Sequence, residues 1–211
     1  LNVFLGRIGD FVMNNKLGDG SGIGEMAVIA SQNWVTAFSS KNPWQTKLIA
    51  ASLRHYNQLN LLAGTDVFTI PPSVAKAAKQ NLKTEFSSRM HENYEINTYQ
   101  SAKEAHIEKF WRIDDGILNL AERLSSRVPA SASELIEIAH EEKCGDLFPS
   151  LSREEKSFIV SDGKIPVFSR WAQKIKEGKI APDTLLTLAG LASFTSDQKQ
   201  LDERILSIIS I

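Results

Sequence analysis

The stretch KLIAASLRHYNQL (47–59) ends an apolar run on Ser52 and Arg54, a hydroxyl and a guanidinium two residues apart. Alternate residues of a strand face the same side, so the spacing predicts that both emerge together at its carboxyl end. Ligands bind at that end in open α/β sheets and in (β/α)8 barrels alike. A planar fork that donates two parallel, charge-assisted hydrogen bonds suits a phosphate or a carboxylate. The run NVFLGR (2–7) repeats the arrangement, setting Arg7 after Gly6, a residue that permits a sharp turn or close approach of a ligand. If the two strands are neighbours, Arg7 and Arg54 form one positive pocket. The competing reading pairs each arginine with a nearby acid such as Asp10 or Asp66.

Other chemistry-bearing stretches offer less. The glycine-rich LGDGSGIGE (17–25) matches neither GxGxxG nor GxxxxGK[ST] and does not directly follow a strand, so it reads as a flexible turn. HEEKC (140–144) is not HExxH, and His140 with Cys144 supplies fewer ligands than zinc sites usually need. His55, beside Arg54, could meet a ligand or cap a helix. The adjacent acids Asp114–Asp115 and Glu141–Glu142 point apart around a helix and make no acid/base dyad. Trp34, Trp171 and the Phe110–Trp111 pair read as core anchors.

The elements that must position these residues are three short apolar runs, NVFL (2–5), KLIAAS (47–52) and DVFTI (66–70). Helical spacing fills the intervals: GEMAVIASQNWVTAF (24–38) before a break at SSKNPWQ (39–45), NQLNLLAG (57–64) closing on Gly64, and IPPSVAKAAKQNL (70–82). That alternation predicts an α/β fold with a parallel sheet. Beyond it the chain reads as helices separated by turn signals at Pro129, CGDLFPS (144–150), SDGKIP (161–166), EGKIAPD (177–183) and FTSDQ (194–198). Capping-box patterns fall at Ser131 with Glu134, Ser152 with Glu155 and Thr195 with Gln198. The expected division is therefore 1–128, α/β, and 129–211, helical. Three strands fall short of a usual sheet, and Leu1 opens directly on an apolar run, as a fragment, a processed product or a trimmed domain would.

Composition narrows the partners. The 211 residues carry 24 Lys and Arg against 25 Asp and Glu, with no basic run, which disfavours nucleic acid and acidic membrane surfaces. No apolar run reaches bilayer length, and no signal-peptide pattern opens the chain. The single Cys144 fits a reducing compartment, so the cytoplasm is expected.

Taken together, FLGRIGDF, KLIAASLRHYNQLNLLAGTDVFTIPP and EKFWRIDDGILNLAERL resemble the transaldolase family, class I aldolase-like (β/α)8 TIM barrels with late-strand patterns such as S-P-F-V-G-R-I, M-G-A-S-F-R-N and L-A-G-C-D-x-L-T-I-S-P. The resemblance implies that residues 1–128 are the last strands and helices of such a barrel, followed by an all-helical C-terminal extension. It implies that Arg7, Ser52 and Arg54 bind the substrate phosphate and that Phe4 lies beside the sugar chain. Asn2 stands where the family often has a substrate-contacting Ser. The implied reaction, of the pentose phosphate pathway, moves a dihydroxyacetone unit between sugar phosphates through a Lys Schiff base, with no cofactor or metal. No lysine here sits in the family's K-[IV]-P-[ST] context, so the catalytic groups are expected on a missing N-terminal barrel half. The partners expected are a sugar-phosphate substrate, that missing half and a second copy in a homodimer. The alternative is a non-catalytic sugar-phosphate-binding or protein-interaction module.

Overall fold

Asn2, Val3 and Phe4 form strand β1, and the chain turns without a loop into helix α1 (Leu5–Asn14). The computed structural model describes residues 1–41, 45–82 and 85–209. Helix α2 (Ile23–Lys41), strand β2 (Ile49–Ala51), helix α3 (Gln58–Leu61), strand β3 (Val67–Phe68) and helix α4 (Pro72–Asn81) follow. The strands pair in parallel in the order β1-β2-β3, with Asn2 opposite Ile49 and Ile49 opposite Val67. The centre of the sheet is apolar on both faces, since Ala50 and Ala51 are both buried although they point opposite ways. Leu5, Val28, Ile29, Leu48, Leu53, Leu62 and Val74 complete this core. The chain is thus mixed α/β, mostly helical around a small parallel sheet.

Three features of this region differ from the sequence reading. Leu5 and Gly6 are not the end of a strand and a turn but the first residues of α1, whose Leu5, Ile8, Phe11 and Val12 form a buried stripe. Helix α2 runs on through Ser39, Ser40 and Lys41, the first part of the break expected at 39–45; Asn42, Pro43 and Trp44 of that break lie outside the described residues. Residues 85–99 are not helical: they form an irregular strap, tied where Arg89 N–H donates to Ala63 O, Tyr94 O–H to Leu61 O and Tyr99 N–H to Leu17 O. These ties give part of the strap's polar groups partners on other segments in place of a helix ladder.

The described residues divide into two compact units, Leu1–Lys103 with Ile107–Arg112, and Glu104–His106 with the chain from Ile113 onward. The second unit is built of helices α5 (Asp115–Ser126), α6 (Ala132–Glu141), α7 (Arg153–Asp162), α8 (Ala172–Lys176) and α9 (Pro182–Ile209). Leu120, Ile138, Ala139 and Cys144 make one buried cluster, and Ile159, Trp171, Ile175, Ile180, Leu185 and Ala189 another. Ser152 and Glu155 form a complete capping box, whereas Ser131 caps α6 alone while Glu134 turns to Ala130 N–H and Arg127. Thr195 is no cap. It lies inside α9, where its Oγ1 donates to Leu191 O, so the helix runs through FTSDQ unbroken; neither Gly nor Pro stands there to stop it. Among the described residues no helix is long and apolar enough to cross a membrane.

Candidate functional site

The carboxyl ends of β1 and β2 meet at the first turn of α1. After Ala51 the chain enters the left-handed region at Ser52 (φ 67°), a conformation that costs a non-glycine residue about 1 kcal/mol or more. Leu53 then turns into the core, and Arg54 points outward. Ser52 and Arg54 do come together, but through the guanidinium and not through strand alternation: Arg54 Nη1 donates to Ser52 Oγ (2.9 Å) and Ser52 O (3.2 Å). Both residues lie beyond the end of β2.

Gly6 makes this bend fit. A Cβ there would overlap the Ser52 carbonyl oxygen and stand 2.9 Å from the Arg54 Cζ, so the guanidinium lies directly over the helix backbone. The glycine lies inside α1 and serves no turn; it admits the β2 end. Arg7, one residue on, stacks its guanidinium over the Phe4 ring, 4.2 Å from the centroid. Asn2 is exposed at the first position of β1, and Phe4 is half-buried at the last. The strands are neighbours, but Arg7 packs on Phe4 and does not line the cavity that Arg54 borders, so the two arginines are not brought into one pocket there. Phe4 gives α1 no side-chain cap, so the first-turn N–H groups and the positive end of the helix dipole face the same rim.

Arg54 is also ion-paired. Asp10, one turn along α1, accepts from its Nη2, with the arginine half exposed. Asp66 instead serves the amino end of the sheet: it accepts from Leu48 N–H and Gln32 Nε2, both at 3.0 Å, and pairs with Lys47 at 3.5 Å. Burial raises the Asp66 pKa, but these donors together hold it below 3.8. Lys47 is therefore engaged at the sheet end opposite Arg54.

A cavity of about 470 Å³ lies on the α1 side of Arg54, lined among others by Asp10, Asp19, Glu25, Gln58, Tyr94 and Glu95. Its carboxylates make it a poor place for an anion, and neither Arg7 nor Ser52 lines it. Ser21 N–H and then the Asn97 amide hold Asp19 below its usual carboxylate range, so it stays charged. Gln58 organises the rim and went unread in the sequence, though its i+4 spacing from Arg54 was the available signal. Its Oε1 accepts from Arg54 N–H (2.7 Å) and His55 N–H (3.1 Å), and its Nε2 donates to the buried Glu25 (2.8 Å). His55 Nδ1 accepts from Asn57 N–H at the entry to α3, and its ring lies 4.3 Å from that of Tyr56.

The glycine-rich loop 17–25 is a packing node. Gly20 and Gly22 take positive φ, and a side chain on either would strike the backbone of Gly9 or Glu95 at 2.6 Å. His140 and Cys144 join no potential metal cluster among the described residues. Asp114 caps α5 by accepting from Ile117 N–H. Glu141 and Glu142, expected to diverge, converge on Arg123 at 2.6 and 3.0 Å because Glu142 falls at the end of α6, where the chain leaves the helix. Trp171 is buried as expected, but Trp34 is exposed.

A family model for transaldolase/fructose-6-phosphate aldolase matches residues 1–119, more than half of the chain. The chain belongs to this family. The aldolase-family match takes in the three strands, all of α1 to α4, the strap and the start of α5, and so contains Arg7, Ser52 and Arg54. No curated protein and no solved structure gives a match.

Proposed function

We propose that the protein acts as a transaldolase, transferring a dihydroxyacetone unit between sugar phosphates, and that this chain supplies the phosphate-binding half of its site. The observation that carries the reading is the hydrogen-bonded pair Arg54 and Ser52 just beyond β2, beside the parallel neighbour β1 and over Gly6 in the first turn of α1, within the family-matched span. In this reading residues 1–128 are the C-terminal part of a TIM barrel and 129–211 an appended helical extension.

The phosphate sits on the strand-end side of Arg54, away from the acid-lined cavity. The guanidinium carries more N–H donors than the three bonds given to Ser52 and Asp10. Ser52 Oγ, accepting from Arg54, keeps its own O–H to donate to a phosphate oxygen. Arg7 adds a second positive charge and the first turn of α1 its dipole. Phe4, and Asn2 before it on the same face of β1, line the path of the sugar chain. The Schiff-base lysine, which attacks the ketose carbonyl with loss of water, belongs to another strand, since Lys47 is tied to Asp66 at the wrong end of the sheet. An Asp and a Glu with a bound water, also outside this segment, move the protons.

Borohydride trapping with a ketose phosphate on the full natural protein tests the reaction. Covalent labelling of one lysine outside these 211 residues is the expected result. A folded protein that takes no label supports the second reading, a non-catalytic sugar-phosphate-binding or protein-interaction module, which the Arg54–Asp10 ion pair favours because it already satisfies the cation.

A further inference from the structure

From Leu191 to its end, α9 carries apolar residues in an alternating three-and-four spacing: Leu191, Phe194, Leu201, Ile205 and Ile208, with Gln198 at the one polar position. All five apolar side chains are exposed, from 44% at Ile205 to 65% at Ile208. The opposite face is polar at Ser196, Lys199, Gln200 and Glu203, with Lys199 and Glu203 paired at 3.7 Å one turn apart. The first half of the same helix is anchored by the buried Leu185 and Ala189, so the projecting half does not depend on an association to form. Spacing that averages 3.5 residues is the seam of a left-handed coiled coil, narrower than the stripe that packs a helix on a globular core.

We propose that the occupant of this seam is α9 of a second copy of the chain, packed antiparallel. Written as heptads, Leu191, Gln198 and Ile205 take the first core position and Phe194, Leu201 and Ile208 the second. Antiparallel pairing sets Leu191 against Ile208, Phe194 against Ile205 and Gln198 against Leu201, filling every layer twice. The two Gln198 side chains then flank the twofold axis, three residues or about 4.5 Å apart along the helix direction, where an amide pair fixes the register. Charge decides the direction. The flanking positions place Asp197 opposite Arg204 of the other copy when the helices are antiparallel, giving two symmetric ion pairs. Parallel helices would set Asp197 against Asp202, a like-charge contact. Asp197 meets Lys164 at 3.9 Å with both groups more than half exposed, which leaves it available. Leu206 and Ile209 widen the stripe at its carboxyl end.

Sedimentation equilibrium of the full chain across a concentration series is the test. The expected result is a dimer that Leu201→Asp converts to monomer with far-ultraviolet circular dichroism retained. Asp197→Arg is expected to raise the dimer dissociation constant at least tenfold, and Asp197→Arg with Arg204→Asp to restore it. A dimer tightened by Asp197→Arg means parallel helices and overturns the proposal. So does a chain that stays monomeric at high micromolar concentration, whether the seam is then covered by another part of the protein or by lipid vesicles, and so does a dimer that Leu201→Asp leaves intact.

Discussion

Arg54 in the α/β unit and Arg123 in the helical unit are each held by two residues, yet they are held differently. Arg123 is gripped by two carboxylates, Glu142 and Glu141, and its pKa is raised first by the hydrogen bond it donates to Glu142 and then by that to Glu141. Its charge is more than matched. Arg54 shares its fork between one carboxylate, Asp10, and the oxygens of a serine that sits in a left-handed conformation over a helix with room for nothing larger than glycine. Left-handed backbone lies near both arginines, at Ser52 and at Lys143 beside Glu142, but only at Arg54 do the left-handed residue's own hydroxyl and carbonyl oxygens accept from the guanidinium.

The largest effect should come from Gly6→Ala. The added methyl meets backbone atoms that cannot swing aside, so we expect a loss of about 3 kcal/mol or more in urea unfolding; a near-neutral change would mean that the clamp is loosely built. Next, Arg54→Ala should raise KM for a phosphorylated sugar by the equivalent of about 1.5–3 kcal/mol and hardly alter it for an unphosphorylated one. Arg123→Ala should leave both constants unchanged, and equal losses for both sugars at Arg54 would erase the contrast between the two arginines. Smaller still, Ser52→Gly should relieve about 1 kcal/mol of backbone strain while weakening phosphate binding by the loss of a hydroxyl. Lys143→Gly, at the matching left-handed position beside Glu142 (φ 63°), should raise the melting temperature without touching KM. The smallest effect concerns Glu155, held below its ordinary 4.5 first by the Lys174 hydrogen bond and then by Ser152 N–H. A depressed carboxyl pKa contributes stability above the unfolded value and loses it as pH falls through the folded one. Glu155→Gln should therefore flatten the fall of the melting temperature below about pH 4.5, with little change at neutral pH.

The strands, α2 and α4 were legible because their signals are local: short apolar runs, helical spacing and the proline at the start of α4. The parallel pairing of β1 with β2 was legible for the same reason. What the sequence concealed depends on distant partners. Gly6 reads as a turn until the end of β2 is known to press on it, and then it reads as the one residue that keeps α1 and Ser52 compatible. Asp10 was a plausible partner among others, and its selection over Asp66 follows from the parallel register, which sends Asp66 to the far end of the sheet. The run FTSDQ carries every mark of a helix start, but Thr195 can satisfy its hydroxyl on the preceding turn, and nothing obliges the helix to stop.

The order β1-β2-β3 leaves the outer sides of β1 and β3 as the margins of the sheet among the described residues. A margin of unpaired N–H and C=O groups is a template for wrong association, and its hazard grows with length. These margins span three and two residues. They are too brief to recruit a stray strand by backbone pairing alone, so any segment that pairs there must be selected by its side chains, and wrong associations should appear as soluble misfits before they appear as fibrils.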